Sequence, residues 1–195
     1  MRTLLCLFAL VSLLAAGCDV PVVVADRPLV EPGDEKIMPE LAGVWAATDG
    51  KMRVKIQASD DAMTVALSMQ GADFGDTAPL SLTKIRRQLY AQIPMDSPAG
   101  DHTPTWFPLR LTLEDADDAT VEQLCSGWFK ASTPEEAGLR YTILERQDDN
   151  SDRCMSGSVM LQASTAELRR WLRKHRDTEG LFSPLVHLRR QAPTP

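Results

Sequence analysis

The sequence has few cysteines, few aromatic residues and no excess of basic charge. Of its 195 residues only 4 are cysteine, 3 are histidine and 6% are aromatic. The 21 lysines and arginines are outnumbered by 27 aspartates and glutamates, which gives a net charge of −6. Nucleic acid is therefore not an expected partner, because binding to the phosphate backbone depends on a surplus of basic residues. Ordinary fractions of apolar (44%) and charged (25%) residues exclude intrinsic disorder.

Long hydrophobic runs are also missing beyond the first residues of the chain. Residues 4–16 are apolar apart from Ser12, and Arg2 provides a short charged start before them. This run is shorter than the roughly 20 residues that a transmembrane helix needs, and it is typical of a signal peptide. No later segment of the chain contains an apolar run that approaches this length. The sequence therefore predicts an exported protein without a membrane-spanning helix.

The hydrophobic run ends in the segment Leu14-Ala15-Ala16-Gly17-Cys18. This segment resembles the lipobox of bacterial lipoproteins, and the alternative is an ordinary secretory signal that ends beside a cysteine. The resemblance implies that residues 1–17 are removed and that Cys18 receives diacylglycerol and a further acyl chain such as palmitate. The protein would then be anchored in the cell envelope and face the periplasm. Asp19 resembles the signal that keeps lipoproteins in the inner membrane, with the outer membrane as the other possibility.

Two cysteines remain once the signal peptide is removed and Cys18 is acylated, namely Cys125 and Cys154. In an oxidising compartment an even pair favours a disulfide bond. Such a bond would close a loop of about 30 residues and contribute roughly 3 kcal/mol in the chain-entropy model. Two separate buried thiols are the alternative.

The mature chain is predicted to have three parts. Residues 18–39 contain four prolines and only one β-branched triplet, so they are expected to form the lipidated N-terminus and an extended tether. Residues 40–190 are expected to form one domain. Residues 191–195 contain two prolines and are expected to be a disordered tail.

Alternating apolar residues predict a mostly β domain. Residues 51–57 and 63–70 each alternate with the two-residue period of a strand that has one buried face. Asp49-Gly50 is a strong hairpin signal and connects the first of these to residues 44–48. The resulting meander favours a single antiparallel up-and-down β-barrel, because short strands with turns between them are typical of that fold. Further strands are predicted at residues 80–86, 89–93, 107–113, 120–129, 139–145, 158–162 and 185–190.

One α-helix is predicted before the last strand. Ser164 and Glu167 have the spacing of a capping box, in which each side chain bonds to the backbone of the other residue. An apolar stripe follows at helical spacing, and Gly180 is expected to end the helix. The stripe consists of Leu168, Trp171, Leu172 and His175.

Gly43-Val44-Trp45 lies at the start of the first strand of the meander. It resembles the G-x-W motif of lipocalins, small barrels that hold apolar ligands, and the order of strands, helix and last strand over residues 40–190 is similar too. An arginine packs over this tryptophan in lipocalins, and Arg189 and Arg190 are the candidates here. The same order of elements also resembles uncharacterised bacterial lipoproteins, which implies an architecture but no activity. Simple core packing is the alternative role for Trp45.

Two non-catalytic functions in the cell envelope follow from these features. In the first, a small apolar ligand binds in a lipocalin-like barrel. In the second, the barrel is filled by its own side chains and serves protein–protein interaction with another envelope component or a structural role. Residues expected to line the ligand site are Trp45, Met52, Val54, Ile56, Val65 and Leu67.

Catalysis, cofactors and metals are not expected. None of His102, His175 and His187 lies in a catalytic motif, and the chain contains no G-x-S-x-G nucleophile elbow. Residues 148–152 begin like a calcium-binding loop, but Arg153 stands where such a loop requires glycine.

Overall fold

The computed structural model of the protein describes residues 22–69, 72–96, 104–144 and 158–192, and in them the fold is mostly β. A 3-10 turn spans Pro39–Leu41, and three α-helices span Ser126–Lys130 (α1), Pro134–Ala137 (α2) and Thr165–His175 (α3). The strands are Val23–Ala25 (β1), Gly43–Ala47 (β2), Met52–Ala58 (β3), Met63–Met69 (β4), Ala78–Pro79 (β5), Ser81–Ile85 (β6), Gln88–Asp96 (β7), Pro104–Leu113 (β8), Asp118–Leu124 (β9), Tyr141–Ile143 (β10), Val159–Leu161 (β11) and Phe182–Arg190 (β12).

The strands form one large mixed sheet. β2, β3, β4 and β5 pair in sequence order, as do β6, β7, β8 and β9, and all of these pairs are antiparallel. β12 pairs with β9 on one side and with β2 on the other. The sheet is mixed because β1 lies parallel to β11 while it also contacts β8 in the antiparallel sense.

The predicted closed, antiparallel up-and-down barrel is not confirmed. Among the described pairs, β5 pairs with β4 alone and β6 with β7 alone, so the path of paired strands does not close on itself. The break lies at Leu80, which is the single residue between β5 and β6. Its N–H donates to the carbonyl of Met63 at 2.9 Å.

Two clusters of buried apolar side chains lie on opposite faces of the sheet. In β7, Leu89 and Ala91 point into one cluster and Tyr90 points into the other, as the two-residue period of a strand requires. The first cluster, called the sheet core here, contains Leu41, Trp45, Ala47, Met52, Val54, Met63, Val65, Ala78, Leu80, Leu82, Leu89, Ala91, Leu109, Ala119, Val121 and Leu188. The second, called the helix-side core, contains Val23, Ala25, Leu29, Val30, Ile85, Tyr90, Leu124, Phe129, Leu139, Val159, Leu161, Ala163, Leu168, Trp171, Leu172 and Leu181.

The segment predicted as a tether belongs to the fold from Val22 onward. β1 lies between β11 and β8, and its residues are at most 1% exposed. The backbone N–H groups of Leu29 and Val30 both donate to Oε1 of Gln92, and Nε2 of Gln92 donates back to the Val30 carbonyl at 3.1 Å. A three-residue strand is too short to show a periodic pattern. Its pairing with β11, more than a hundred residues away in the chain, is not visible in the local sequence.

Other element boundaries also differ from those predicted. The strand expected at residues 120–129 ends at Leu124, and the chain turns into α1, which buries Phe129 in the helix-side core. α2 was not predicted, although Thr133 and Glu136 form a capping box at its start. The predicted capping box of α3 is present, but the helix ends at His175, before the predicted Gly180.

No helix in the described ranges is both long enough and apolar enough to cross a membrane. The predicted signal peptide, Cys18, Asp19 and Cys154 lie outside the described residues, as do residues 193–195 of the predicted tail.

Candidate functional site

One end of the sheet core is built around Trp45. The indole is 2% exposed, and its Nε1–H donates to the carbonyl of Leu41 in the 3-10 turn at 2.9 Å. The guanidinium of Arg190 lies over the ring, with Cζ 4.4 Å from the ring centroid. The last strand thus contacts the first strand of the meander through an arginine and a tryptophan, and Arg190 rather than Arg189 has this position.

Arg190 is held in place by three backbone carbonyls, two from the segment before β2 and one from the turn before β9. Its Nη1 donates to Ala42 at 2.6 Å, Nη2 donates to Glu40, and Nε donates to Ala116 at 3.2 Å. Gly43 allows the guanidinium to approach so closely, because its φ is +141° and an added Cβ would lie 3.1 Å from Nη1 of Arg190. The glycine and the tryptophan of the Gly43-Val44-Trp45 motif therefore have separate structural roles at this end.

The structure brings the six predicted lining residues together on one face of the meander. Trp45 pairs with Val54, which in turn pairs with Leu67, so these three side chains form a row across β2, β3 and β4. Ile56 pairs with Val65 in the adjacent row. Trp45, Met52, Val54 and Val65 are buried in the sheet core, and Ile56 and Leu67 are partly buried against it.

Side chains from the later strands complete this cluster, and the predicted lining set did not include them. β8, β9 and β12 contribute Leu109, Val121 and Leu188, and Leu82 comes from β6. β9 overlaps the strand predicted at residues 120–129, and the alternation of Ala119, Val121 and Gln123 is the signal that could have shown which of its side chains face this cluster.

The two cores differ in how completely they are shielded from water. Twelve of the sixteen residues in the helix-side core are at most 2% exposed, whereas only three of the sixteen in the sheet core are. The other thirteen retain between 4% and 9% exposure, and they come from β2, β3, β4, β5, β7, β8, β9 and β12 as well as from the turns. Partly buried apolar side chains surround the sheet core in greater number than the helix-side core.

A second candidate site is a groove of about 490 Å³ between α2 and α3. Its floor includes Trp171 and His175, whose rings stack with centroids 5.1 Å apart. Burial, and to a smaller extent the charge of Lys174, lowers the pKa of the His175 imidazole. The rim carries charges of both signs, from Arg140, Arg170, Lys174, Glu135 and Glu167.

The histidines of the described ranges lie in different surroundings. Nδ1 of His187 lies 3.0 Å from Oγ1 of Thr120, and the ring lies 3.7 Å from carboxylate oxygens of Glu114 and Asp118. His175 lies among aromatic rings, and its Nδ1 is 3.4 Å from Oγ1 of Thr178. His102 and residues 148–153 lie outside the described residues. In the part of the chain that the structure describes, no group of three or more His, Cys, Asp and Glu side chains is placed to hold a metal ion.

Cys125 is buried just before α1, and its backbone N–H donates to the carbonyl of Leu181 at 2.8 Å. Because Cys154 lies outside the described residues, the bond between the two sulfurs stays a prediction.

Comparison of the chain with models of protein families, with curated proteins and with solved structures finds no match in any of the three.

Proposed function

We propose that this protein is an exported lipoprotein of the bacterial cell envelope that binds a small apolar ligand inside a lipocalin-like barrel. The observation that carries the proposal is the sheet core itself. Apolar side chains from β2 to β9 and from β12 converge there, and thirteen of the sixteen residues are 4–9% exposed, against four of sixteen in the helix-side core. An apolar interior that water still reaches is suited to a ligand that displaces this water.

The barrel closes, in this proposal, because β5 and β6 act as one bent strand. β4 pairs with the first half, and the bond from Leu80 to Met63 continues the same ladder by one residue. β7 pairs with the second half. Counted in this way, eight antiparallel strands follow one another in sequence order, and β12 returns to β2. Eight strands enclose an interior just wide enough for side chains or for one small ligand.

The contact between Arg190 and Trp45 supports the resemblance to lipocalins. The resemblance implies an arginine near the end of the chain that packs over the tryptophan of G-x-W, and Arg190 has that position. The end of the barrel that contains Trp45 would therefore be the closed end.

Small side chains support a ligand-binding interior over one filled by the protein. Four of the sixteen residues in the sheet core are alanines, on β2, β5, β7 and β9. Alanine fills far less space than the leucine or phenylalanine that would be needed to pack an eight-stranded interior at normal density. The four are Ala47, Ala78, Ala91 and Ala119.

Titration with a neutral fluorescent apolar probe, N-phenyl-1-naphthylamine, tests the proposal. The protein used is the chain from residue 18 with Cys18→Ser, which lacks only the signal peptide and the acylation site. We expect saturable binding, and we expect Val121→Phe to weaken it by about tenfold, or about 1.4 kcal/mol, because the larger ring occupies the interior. Thr120→Phe is the matched control, since the neighbouring side chain lies on the opposite face of β9, and it should leave binding within about twofold.

Absence of saturable binding would contradict the proposal and favour the rival function, an interaction or structural module with a filled barrel. The groove between α2 and α3 is the observation that favours this rival, because a rim of both charge signs over a partly apolar floor suits a protein segment.

Membrane anchoring is tested separately. Cys18→Ala in the full-length precursor should move the protein from the membrane fraction to the soluble envelope fraction, and globomycin should block maturation of the wild-type chain. Unchanged fractionation of the variant would contradict acylation at this residue. Whether Asp19 keeps the protein in the inner membrane is decided by separating the two membranes in a density gradient.

A further inference from the structure

We propose that Gln123 is the polar anchor of the ligand site, and that the ligand is an uncharged molecule with an apolar body and one hydrogen-bonding head group. This inference rests on the proposed function, because it assigns chemistry to the interior of the same barrel. The head group would be a carbonyl, hydroxyl or primary amide.

The side chain of Gln123 faces the sheet core. Gln123 pairs directly with Leu109, and paired residues of antiparallel strands point to the same side of the sheet. Val121 and Ala119 precede it at two-residue intervals on β9, and all three of these neighbours belong to the sheet core. The residue itself is 4% exposed.

No hydrogen bond joins the side-chain amide of Gln123 to another described residue, and the amide is not one of the fully buried polar groups that lack a partner, so it keeps a small solvent-accessible surface. Gln92, the other buried glutamine, makes three bonds to Leu29 and Val30 on the opposite face of the sheet. Thr105 donates to the carbonyl of Met95 at 3.1 Å. An inward-facing amide that is free of protein partners can bond to a ligand group that replaces this solvent.

The surroundings of Gln123 exclude a charged head group. The residues paired with Gln123, Leu109 and Ser183, are uncharged, and the guanidinium of Arg190 lies at the other end of the core, so an ionised head group would lose its hydration here without gaining a nearby counter-ion. An amide offers both a carbonyl acceptor and an N–H₂ donor, which suits head groups that accept, donate or do both. The buried polar residues of the described ranges are all uncharged; they are Ser68, Thr83, Gln92, Thr105, Gln123, Ser126, Ser158 and Thr165.

The register also gives the direction of the ligand. β9 begins at Asp118, opposite Arg189, and therefore close to the end that holds Trp45 and Arg190. Gln123 lies opposite Ser183, five residues further along the strand, or roughly 16 Å at the rise of an extended chain. The head group would therefore bind far from Trp45, and the apolar body would extend toward the indole.

Displacement of N-phenyl-1-naphthylamine by four compounds with the same twelve-carbon chain tests the inference. We expect dodecanamide and dodecan-1-ol to bind the chain with Cys18→Ser more tightly than dodecane, and dodecanoate at pH 8 to bind at least about tenfold more weakly than dodecanamide. Gln123→Leu should weaken dodecanamide and dodecan-1-ol by about fivefold and should leave dodecane and the probe unchanged or slightly tighter.

Thr83→Val is the matched control, because it removes a buried polar group from the opposite face of β6 and should not change the ranking. Gln123→Met provides a second apolar variant, and circular dichroism checks that each variant is folded. If the probe binds but Gln123→Leu changes the affinities of all four compounds equally, the role of Gln123 is contradicted and the proposed ligand site in the sheet core is not. If the probe does not bind the wild-type interior at all, the proposed function fails and this inference fails with it.

Discussion

The helix-side core and the sheet core are made of similar residues but are packed differently. The helix-side core is closed by aromatic rings: Phe129 stacks on Trp171 at 5.7 Å, and Trp128 meets both rings edge-on. The sheet core contains one tryptophan, at one end, and retains water-accessible surface along most of its strands. The difference in exposure is the reason why we assign the proposed ligand site to the sheet core and a mainly stabilising role to the helix-side core.

Hydrogen bonds reinforce the helix-side core where polar atoms are buried in it. Nε1–H of Trp171 donates to the carbonyl of Ala137 at 2.6 Å, and the Tyr141 hydroxyl donates to Phe129 at 2.6 Å. The first bond joins α2 to α3 and the second joins α1 to β10, although neither short helix would be stable alone. Tyr90 is an exception, because its buried hydroxyl has no partner in the described ranges and burial raises its pKa to about 12.

A matched pair of leucines gives the largest expected difference between the two cores. Leu161 on β11 is fully buried in the helix-side core, and Leu109 on β8 is 7% exposed in the sheet core. We expect Leu161→Ala to lower the free energy of unfolding by about 4–5 kcal/mol and Leu109→Ala by about 2–3 kcal/mol, because the cost of a cavity is smaller where packing is already incomplete. Urea denaturation measures both values. Equal losses would contradict the contrast between the cores.

An ion pair on the helix side of the sheet gives the next largest effect. Arg110 on β8 bonds to Glu122 on β9 through two contacts of 2.6 Å, and its Nη1 donates to the carbonyl of Arg176 at the end of α3. Both side chains of the pair are less than one-fifth exposed. Arg110→Met should therefore cost about 3 kcal/mol, since Glu122 is left without a counter-charge.

The double variant Arg110→Met/Glu122→Leu is the control for this effect. It removes the unpaired carboxylate, so it should recover more than half of the lost stability in the same urea titration. A double variant no more stable than Arg110→Met would show that the bond to α3, rather than the buried charge, determines the loss.

The smallest effect is a pH dependence confined to the helix-side core. Burial, the main cause, and the charge of Lys174 lower the pKa of His175 from its ordinary value of 6.5, so the unfolded chain takes up a proton on this residue at a higher pH than the folded chain does. The contribution of His175 to stability is therefore complete above about pH 6.5 and is lost as the pH falls through the lower pKa of the folded state. Thermal unfolding between pH 5 and pH 7.5 should show this loss.

His175→Gln should flatten the pH profile, and His187→Gln is the control because His187 lies on β12 opposite Thr120, whereas His175 packs against Trp128 and Trp171. If His187→Gln rather than His175→Gln removed the pH dependence of thermal stability, the assignment to His175 would be contradicted.

The sequence predicted those elements whose pattern of residues lies entirely within one short segment. The alternation around Val54 and Val65 gave β3 and β4 and the face they present, and Ser164 with Glu167 gave the start of α3. The resemblance at Trp45 left Arg189 and Arg190 as candidates for an arginine over the indole without choosing between them, and Arg190 lies there.

The remaining features depend on contacts between distant segments. β1 is defined by its pairing with β11, and the role proposed for Gln123 needs the register between β8 and β9. Where the chain turns into α1, the backbone N–H of Cys125 donates to the carbonyl of Leu181, which lies in a distant segment. A single strand-like pattern over residues 120–129 contains no sign of that bond.

The burial of β1 limits how far an acylated form could move. Val22 is already buried only four residues after Cys18, and four extended residues span at most about 14 Å. If Cys18 carries acyl chains, this four-residue segment is too short for the folded domain to move far from the membrane. Any molecule exchanged with its interior would arrive at, or leave from, the immediate neighbourhood of the bilayer surface.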